Sequence, residues 1–203
     1  DRGFTCAAAG GQTRPRAEAG LGDVWKFRGD YDAAQPHVEK AIALAPDDPY
    51  CQLDMAEFWH DRAVAGSTTP EFAEYLDRAR THYVKAWKLD DALPETYAMY
   101  GRTFLTDNTQ PEKAVEMLEE ARYLLPSHLQ IRLSLAQAYA RAARTEDAIA
   151  AARSVLTWSH EGSDAAKHAT KILEELAVDD APTSPSAAPT DTAADTAIES
   201  VGS

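Results

Sequence analysis

Three carboxylates stand at helical spacing in the second quarter of the chain. Asp54, Glu57 and Asp61 follow one another at steps of three and four residues, and this spacing places their side chains on one face of an α-helix. Such a row of negative charge suits a ligand that bears lysine or arginine. A plain solvated helix face is the other interpretation, and the spacing alone leaves both open.

The histidines supply one further set of residues that could do chemistry. His160, Asp164 and His168 follow at steps of four residues, and the last two share a face of a predicted helix. A metal site needs at least three fixed protein ligands, and His160 lies before that helix begins. We therefore predict no metal site and interpret these three as ordinary polar residues of the surface.

Motifs that carry catalysis are missing from the sequence. It contains no glycine-rich phosphate loop followed by lysine, no Cys-x-x-Cys and no His-Glu-x-x-His. Cys51 has no basic neighbour in sequence that would make it a reactive thiolate, and with Cys6 it is too little for a disulfide framework. The sequence thus predicts a protein that is not an enzyme and uses no cofactor.

The composition excludes two further classes of protein. The 203 residues include 33 Asp and Glu against 20 Lys and Arg, which gives a formal net charge of −13. Nucleic-acid binding is not predicted, because phosphates require a basic patch. No run of about eighteen apolar residues is present, so we predict no direct membrane insertion; the compartment, cytoplasm or periplasm, stays open.

A repeated pattern must position these side chains. An apolar residue and a small residue are followed three positions later by an aromatic one, in the sets Leu21-Gly22-Trp25, Met55-Ala56-Trp59, Tyr100-Gly101-Phe104 and Leu135-Ala136-Tyr139. The periods are 34, 45 and 35 residues. Apolar residues at three- and four-residue steps predict two amphipathic helices in each unit. One such pair cannot bury its apolar face alone, so the units must stack.

This pattern resembles the tetratricopeptide repeat, a 34-residue helix pair with a Leu-Gly step, an aromatic, recurring alanines and a closing proline. The first and third units match best, with Gly22 and Pro46 in one and Gly101 and Pro126 in the other. The resemblance implies an all-α fold, a right-handed superhelical solenoid of helix–turn–helix repeats with a C-terminal capping helix.

The resemblance also implies a division of the chain. We expect a frayed segment over residues 1–14 and a repeat domain over 15–177, followed by a tail over 178–203. The repeats are expected at about 15–48, 49–93, 94–128 and 129–160, with a capping helix over 163–177 begun by Ser163. The tail is rich in Ala, Thr, Pro, Ser and acids. It cannot bury enough apolar area to offset its ordering entropy, so we predict disorder.

Helix ends and helix contacts can be predicted residue by residue. Asp30 and Thr145 are expected as N-caps of second helices. Small residues recur where two helices of a pair must approach closely, because a larger side chain would hold them apart. These are Gly22, Ala34, Gly101 and Ala114.

The second repeat is 11 residues longer than the first, and the excess lies between Trp59 and Ala79. A turn is predicted over residues 66–70. Eleven residues correspond to about three helical turns, so we expect each helix of the pair to gain about a turn and a half. The insertion is either a variation without function or a projecting arm that offers Phe72 and Tyr75 to a partner.

In tetratricopeptide repeats the first helix of each pair lines a concave face on which peptides bind. The resemblance therefore implies these partner-binding residues: Asp23, Lys26, Asp54, Glu57, Asp61, Arg102, Gln137 and Arg141. Family members that bind chaperone tails clamp a C-terminal carboxylate with Lys, Arg and Asn. The matching positions here hold mainly Ala19, Asp23, Asp54, Glu95 and Met99, which predicts that the partner is not a chaperone tail.

Two functions follow from these features. The first is a non-catalytic scaffold that binds a peptide or protein segment, one bearing Lys or Arg, in the concave groove. The second is a C-terminal docking module of a larger enzyme or membrane-anchored bacterial protein whose catalytic domain lies upstream. The chain begins with Asp1 rather than Met, and no segment before residue 15 is predicted to cap the first repeat.

Overall fold

A computed structural model describes residues 13–179 of the chain. Within them the chain forms nine α-helices and no β-strand, which confirms the all-α class. The helices are α1 (Thr13–Phe27), α2 (Tyr31–Leu44), α3 (Pro49–Ala65), α4 (Phe72–Leu89), α5 (Pro94–Thr106), α6 (Pro111–Leu124), α7 (Leu129–Arg141), α8 (Thr145–Trp158) and α9 (Asp164–Asp179). The segment predicted to fray and the tail predicted to be disordered lie outside the described residues, apart from the ends of α1 and α9.

The helices stack as a solenoid of antiparallel pairs. Each odd-numbered helix packs on the even-numbered helix that follows it, and each even-numbered helix packs on the next pair. The odd-numbered helices also contact one another, α1 with α3 and so on to α9. Within residues 13–179 no two even-numbered helices touch. The stack is therefore shorter on the odd side, which makes that face concave.

Local chemistry explains where several helices begin. The Asp30 carboxylate accepts a hydrogen bond of 2.9 Å from the backbone N–H of Ala33, which confirms Asp30 as the N-cap of α2. At the start of the terminal helix, the Ser163 hydroxyl accepts a hydrogen bond of 3.2 Å from the N–H of Ala166. Proline opens α3, α5 and α6, at a position where its missing N–H has no helical partner to lose.

Thr145 is not the N-cap of α8, and that prediction is wrong. Helix α8 begins at Thr145 itself, and Arg144 stands before it. The turn from α7 repeats the turn from α1, with Ala143 at a left-handed φ of 56° where Gly29 has 77°, so Arg144 stands where Asp30 stands before α2. Arg144 N–H then donates a hydrogen bond of 2.9 Å to the Tyr139 carbonyl, so the chain re-enters the helical conformation one residue earlier.

Glycine permits close helix contact in the first and third pairs, as predicted. A Cβ atom on Gly22 would lie 2.8 Å from Val38 Cγ1, across α1 and α2. On Gly101 it would lie 2.9 Å from Leu118 Cγ and 3.2 Å from the Ala114 carbonyl oxygen, across α5 and α6. Ala34 and Ala114 themselves are fully buried.

The longer second repeat lengthens both of its helices, but by less than predicted. Helix α3 has 17 residues and α4 has 18, whereas α5 has 13 and α6 has 14. Each helix therefore gains four residues, about one turn. The remaining residues lie in the connection from Gly66 to Glu71, which holds the predicted turn.

Tyr75, one of the two aromatic side chains predicted on a projecting arm, packs within the hairpin. Tyr75 stacks on Trp59 with ring centroids 5.4 Å apart, and the Arg62 guanidinium lies 5.1 Å from the centroid of Tyr75. Arg62 also donates a hydrogen bond of 2.8 Å to Asp32 of the first pair. Tyr75 therefore holds the hairpin together and is not offered to a partner. Phe72 is half-buried, and its contact with a partner stays a prediction.

No helix in the described range is long and apolar enough to cross a membrane.

Candidate protein-binding groove

The groove is the concave face formed by α1, α3, α5, α7 and α9. At its N-terminal end, α1 supplies Asp23 and Lys26, and α3 supplies Asp54, Glu57 and Asp61. Lys26 Nζ lies 3.0 Å from an Asp23 oxygen and 3.4 Å from an Asp61 oxygen. Two carboxylates thus pair with one ammonium group, and Asp54 and Glu57 are near enough for their pKa values to respond to Lys26. The five residues are called the acidic cluster below.

Two carboxyl groups of the acidic cluster hold their protons unusually tightly. Burial, together with the charge of the neighbouring Asp23, raises the pKa of Asp54 to about 6. Burial also raises the pKa of Glu57 to about 7, although Lys26 acts in the opposite direction. Lys26 alone therefore does not compensate the negative charge of the cluster.

Beneath the acidic cluster, the His60 ring adds no positive charge at neutral pH. Its Nε2 lies 2.9 Å from the Thr106 hydroxyl oxygen. Burial, assisted by the charge of Arg102, lowers the pKa of His60 to about 4. The ring is consequently neutral, and the cluster keeps its net negative charge.

Glu57→Gln is expected to raise the melting temperature by roughly 3 °C at pH 8.5 and to leave it unchanged at pH 4. The folded-state pKa of Glu57 is about 7, above the ordinary value of 4.5. A raised carboxyl pKa stabilises the folded state at low pH, and this contribution is lost as the pH rises through about 7. Thermal unfolding followed by circular dichroism measures the effect. The exposed Glu120→Gln on α6 is the control, and equal melting temperatures for the two variants at pH 8.5 would contradict the explanation.

The other three predicted site residues lie further along the groove. Arg102 of α5 lines a hollow that Glu57 also lines. Gln137 and Arg141 of α7 line a separate hollow with Lys171 of α9, and Arg141 donates a hydrogen bond to the Leu105 carbonyl. The structure therefore brings the acidic cluster together, places Arg102 next to it, and leaves Gln137 and Arg141 in a second region.

Reasoning from the sequence missed the hollow itself. It has a volume of about 190 Å³, and its lining includes Ala98 and Met99 of α5 and Ile131 and Ser134 of α7. Met99 appeared only as a position of the chaperone clamp. The available signal was side-chain size, because Ala98 and Ser134 are small residues on first helices.

Groups of three or more potential metal ligands are absent from the part of the chain that the structure describes. Cys51 is buried, and burial raises the pKa of its thiol to about 11. The thiol is therefore protonated at neutral pH and a poor nucleophile.

Comparisons with known proteins agree on the fold. The family model described as "Tetratricopeptide repeat" matches residues 20–48. TTC0263, a thermophilic TPR protein of Thermus thermophilus, superimposes with a TM-score of 0.68 and 18% identity, over 79% of this chain and 81% of that one. The type IV pilus biogenesis factor PilW superimposes with a TM-score of 0.67 and 16% identity, over 81% and 69%. No curated protein matches the sequence.

A further similar structure contains a bound peptide. It is the first TPR of Spaghetti (RPAP3) with the HSP90 peptide SRMEEVD, and it superimposes with a TM-score of 0.55 and 16% identity, over 65% of this chain and 98% of that one. At such identities the likeness concerns the fold alone.

Proposed function

We propose that the chain is a non-catalytic scaffold that binds a peptide or protein segment in the groove, a function that the tetratricopeptide-repeat match over residues 20–48 and the similar solved structures support. The observation that carries the proposal is the acidic cluster, in which Lys26 pairs with Asp23 and Asp61 while the charges of Asp54 and Glu57 have no ion-pair partner of their own among the described residues. The proposed contact residues are Asp23, Lys26, Asp54, Glu57, Asp61, Arg102, Gln137 and Arg141.

Electrostatics supports a partner that bears lysine or arginine. Carboxylates in a sheltered groove interact with a cation more strongly than carboxylates in bulk water do, because the effective dielectric constant is lower. A guanidinium or ammonium group beside Glu57 would also favour ionisation of a carboxyl whose pKa now stands near 7. The cluster therefore gains from a cationic ligand in two ways.

The same charges disfavour an acidic chaperone tail. The peptide held by the RPAP3 repeat ends in Glu-Glu-Val-Asp. Here Asp23 and Asp54 occupy two of the positions that a carboxylate clamp would need for basic or amide side chains. Like charges at an interface lower affinity, so we propose that the partner is not such a tail.

The test compares two triple variants of the full chain as bait in source lysate. Asp54→Asn/Glu57→Gln/Asp61→Asn removes the groove charges. Glu112→Gln/Glu116→Gln/Glu120→Gln removes the same number of charges from the exposed face of α6. We expect a partner held by the native chain and by the α6 variant to be depleted about tenfold or more on the groove variant, as measured by quantitative mass spectrometry.

Equal recovery of that partner on all three baits would contradict binding at the acidic cluster. The α6 variant controls for the change in net charge, since net charge alone affects non-specific binding. Circular dichroism checks that both variants remain helical.

A second possibility is that the repeats dock partners for a catalytic domain encoded upstream in a larger enzyme or membrane-anchored bacterial protein. The observation that favours it is an apolar stripe on α1, where Leu21, Val24 and Phe27 are 38%, 43% and 94% exposed. Exposed apolar side chains at the first pair suit packing against further protein. The test is the sequence of the gene upstream of residue 1. A catalytic domain encoded there supports this function, and a stop codon shortly upstream contradicts it.

A further inference from the structure

The hollow beside the acidic cluster is formed by three first helices. Glu57 of α3 lies on one side, Ala98, Met99 and Arg102 of α5 lie in the middle, and Ile131 of α7 lies on the other side. The turn before α7 closes one end. The hollow is therefore a product of stacking, and no single repeat contains it.

Its size selects the kind of group that it can hold. The volume is about 190 Å³, whereas pockets for drug-sized ligands have volumes of about 300–1,000 Å³. An apolar cavity of about 150 Å³ takes a benzene ring. The hollow thus has room for one large side chain and too little room for a typical small-molecule ligand.

Its lining combines apolar and polar side chains. Ala98 and Ile131 are 9% and 4% exposed, and the half-buried Met99 and Leu125 complete the apolar part. The polar lining residues are the exposed Glu95, His128 and Gln130, the half-buried Glu57 and Arg102, and the buried Ser134. Arg102 Nη1 lies 3.4 Å from Met99 Sδ, and no carboxylate of the described residues lies within 4 Å of its guanidinium group.

A second hollow, lined by residues of α6, α7 and α8, lacks this combination. Its lining includes Glu119, Arg122, Arg132, Arg144 and Asp147, and charged walls of that kind do not favour an apolar group. The hollow beside the acidic cluster is also the one that shares a residue, Glu57, with that cluster.

We infer that this hollow takes one apolar side chain of the partner segment, and that the segment carries this anchor next to a lysine or arginine that contacts the acidic cluster. The inference rests on the proposed function, because it adds an apolar residue to the basic residue that the partner segment is proposed to carry. Glu57 connects the two binding regions, because it lines the hollow and belongs to the cluster. Leucine, methionine and phenylalanine are the anchors that fit the volume.

The probe is a phage-displayed library of random dodecapeptides, selected on the full chain. Selected peptides are then synthesised, and their affinities are measured by fluorescence polarisation on four variants. Ala98→Leu fills the hollow. Met99→Ala removes part of the apolar wall of the hollow. It provides the test if Ala98→Leu disturbs the fold. Ala73→Leu makes the same change as the first variant at an exposed site on α4. The groove triple variant removes the charges.

We expect the selected peptides to share a basic residue and an apolar residue a few positions apart. Ala98→Leu should weaken them about tenfold or more, Met99→Ala should weaken them less, and Ala73→Leu should leave affinity unchanged. Replacing the apolar residue of the peptide by alanine should reproduce the loss on the native chain and have little further effect on Ala98→Leu.

Three results would overturn the inference. If Ala98→Leu and Met99→Ala both bind the peptides as the native chain does, while the groove triple variant does not, the anchor is wrong and the proposed function stands. If the selected peptides share a basic residue but no apolar one, the anchor is equally wrong. If no peptide is enriched on the native chain, both the anchor and peptide binding in the groove are wrong.

Discussion

Asp107→Ala is expected to lower the free energy of unfolding by about 3 kcal/mol, the largest effect of a single substitution that we predict. Arg80 of α4 donates a hydrogen bond of 2.7 Å to the Asp107 carboxylate and another of 3.1 Å to the Thr103 carbonyl. The side chains of Arg80 and Asp107 are only 17% and 15% exposed. Without Asp107, a nearly buried guanidinium group would lose its short, sheltered charge partner and keep only the exposed Asp77. Urea unfolding followed by circular dichroism measures the change.

The same arginine supplies the control for this prediction. Asp77 also pairs with Arg80, at 3.7 Å, but its side chain is 79% exposed. Exposed ion pairs contribute little, about 0–1 kcal/mol, so Asp77→Ala should change stability only slightly. Comparable losses in the free energy of unfolding for Asp107→Ala and Asp77→Ala would show that burial does not determine how much an ion pair of Arg80 contributes to stability.

Gly101→Ala is expected to destabilise the protein by about 1–2 kcal/mol, although alanine is the better helix former by about 1 kcal/mol. The new Cβ would lie 2.9 Å from Leu118 Cγ and 3.2 Å from the Ala114 carbonyl oxygen. Neither atom is the free end of a flexible side chain, so α5 and α6 would have to separate. The melting temperature reports the loss.

Gly20→Ala is the matched substitution. Gly20 lies inside α1, and a Cβ there would have no atom within 4 Å. The gain in helix propensity is then unopposed, and stability should rise by about 0.5–1 kcal/mol. If both alanines stabilised the protein, the close approach of α5 and α6 would not be a constraint.

Features that the chain encodes locally were predictable from its sequence. The recurring small residues predicted the contacts that Gly22 and Gly101 make with the opposite helix. Asp30 predicted the start of α2, because its carboxylate can accept a hydrogen bond from the first turn. These predictions succeed because each depends on one helix pair. The α3 part of the acidic cluster was also predictable, because the spacing of Asp54, Glu57 and Asp61 places them on one face. Its contact with α1 through Lys26 and Asp61 joins two repeats.

Features that depend on several repeats or on loop geometry were not predictable. The N-cap position of α8 holds Arg144, whose side chain makes no capping hydrogen bond, so the nearest residue of a capping type, Thr145, was assigned in its place. The insertion could have been divided between two helices and a loop in several ways, and periodicity does not choose among them. The hollow beside Glu57 and the link from Arg80 to Asp107 require residues from different repeats, so local patterns carry no sign of them.

The lengthened α3–α4 hairpin has a consequence for the order in which the chain folds. In a stack of repeats, folding begins in the unit with the greatest intrinsic stability and spreads to its neighbours. Helices α3 and α4 are the longest pair, with 17 and 18 residues, and they bury Phe58 and Tyr83 completely. At the corresponding inner positions α8 buries only Ala148, Ala152 and Val155. We therefore expect the second repeat to nucleate folding.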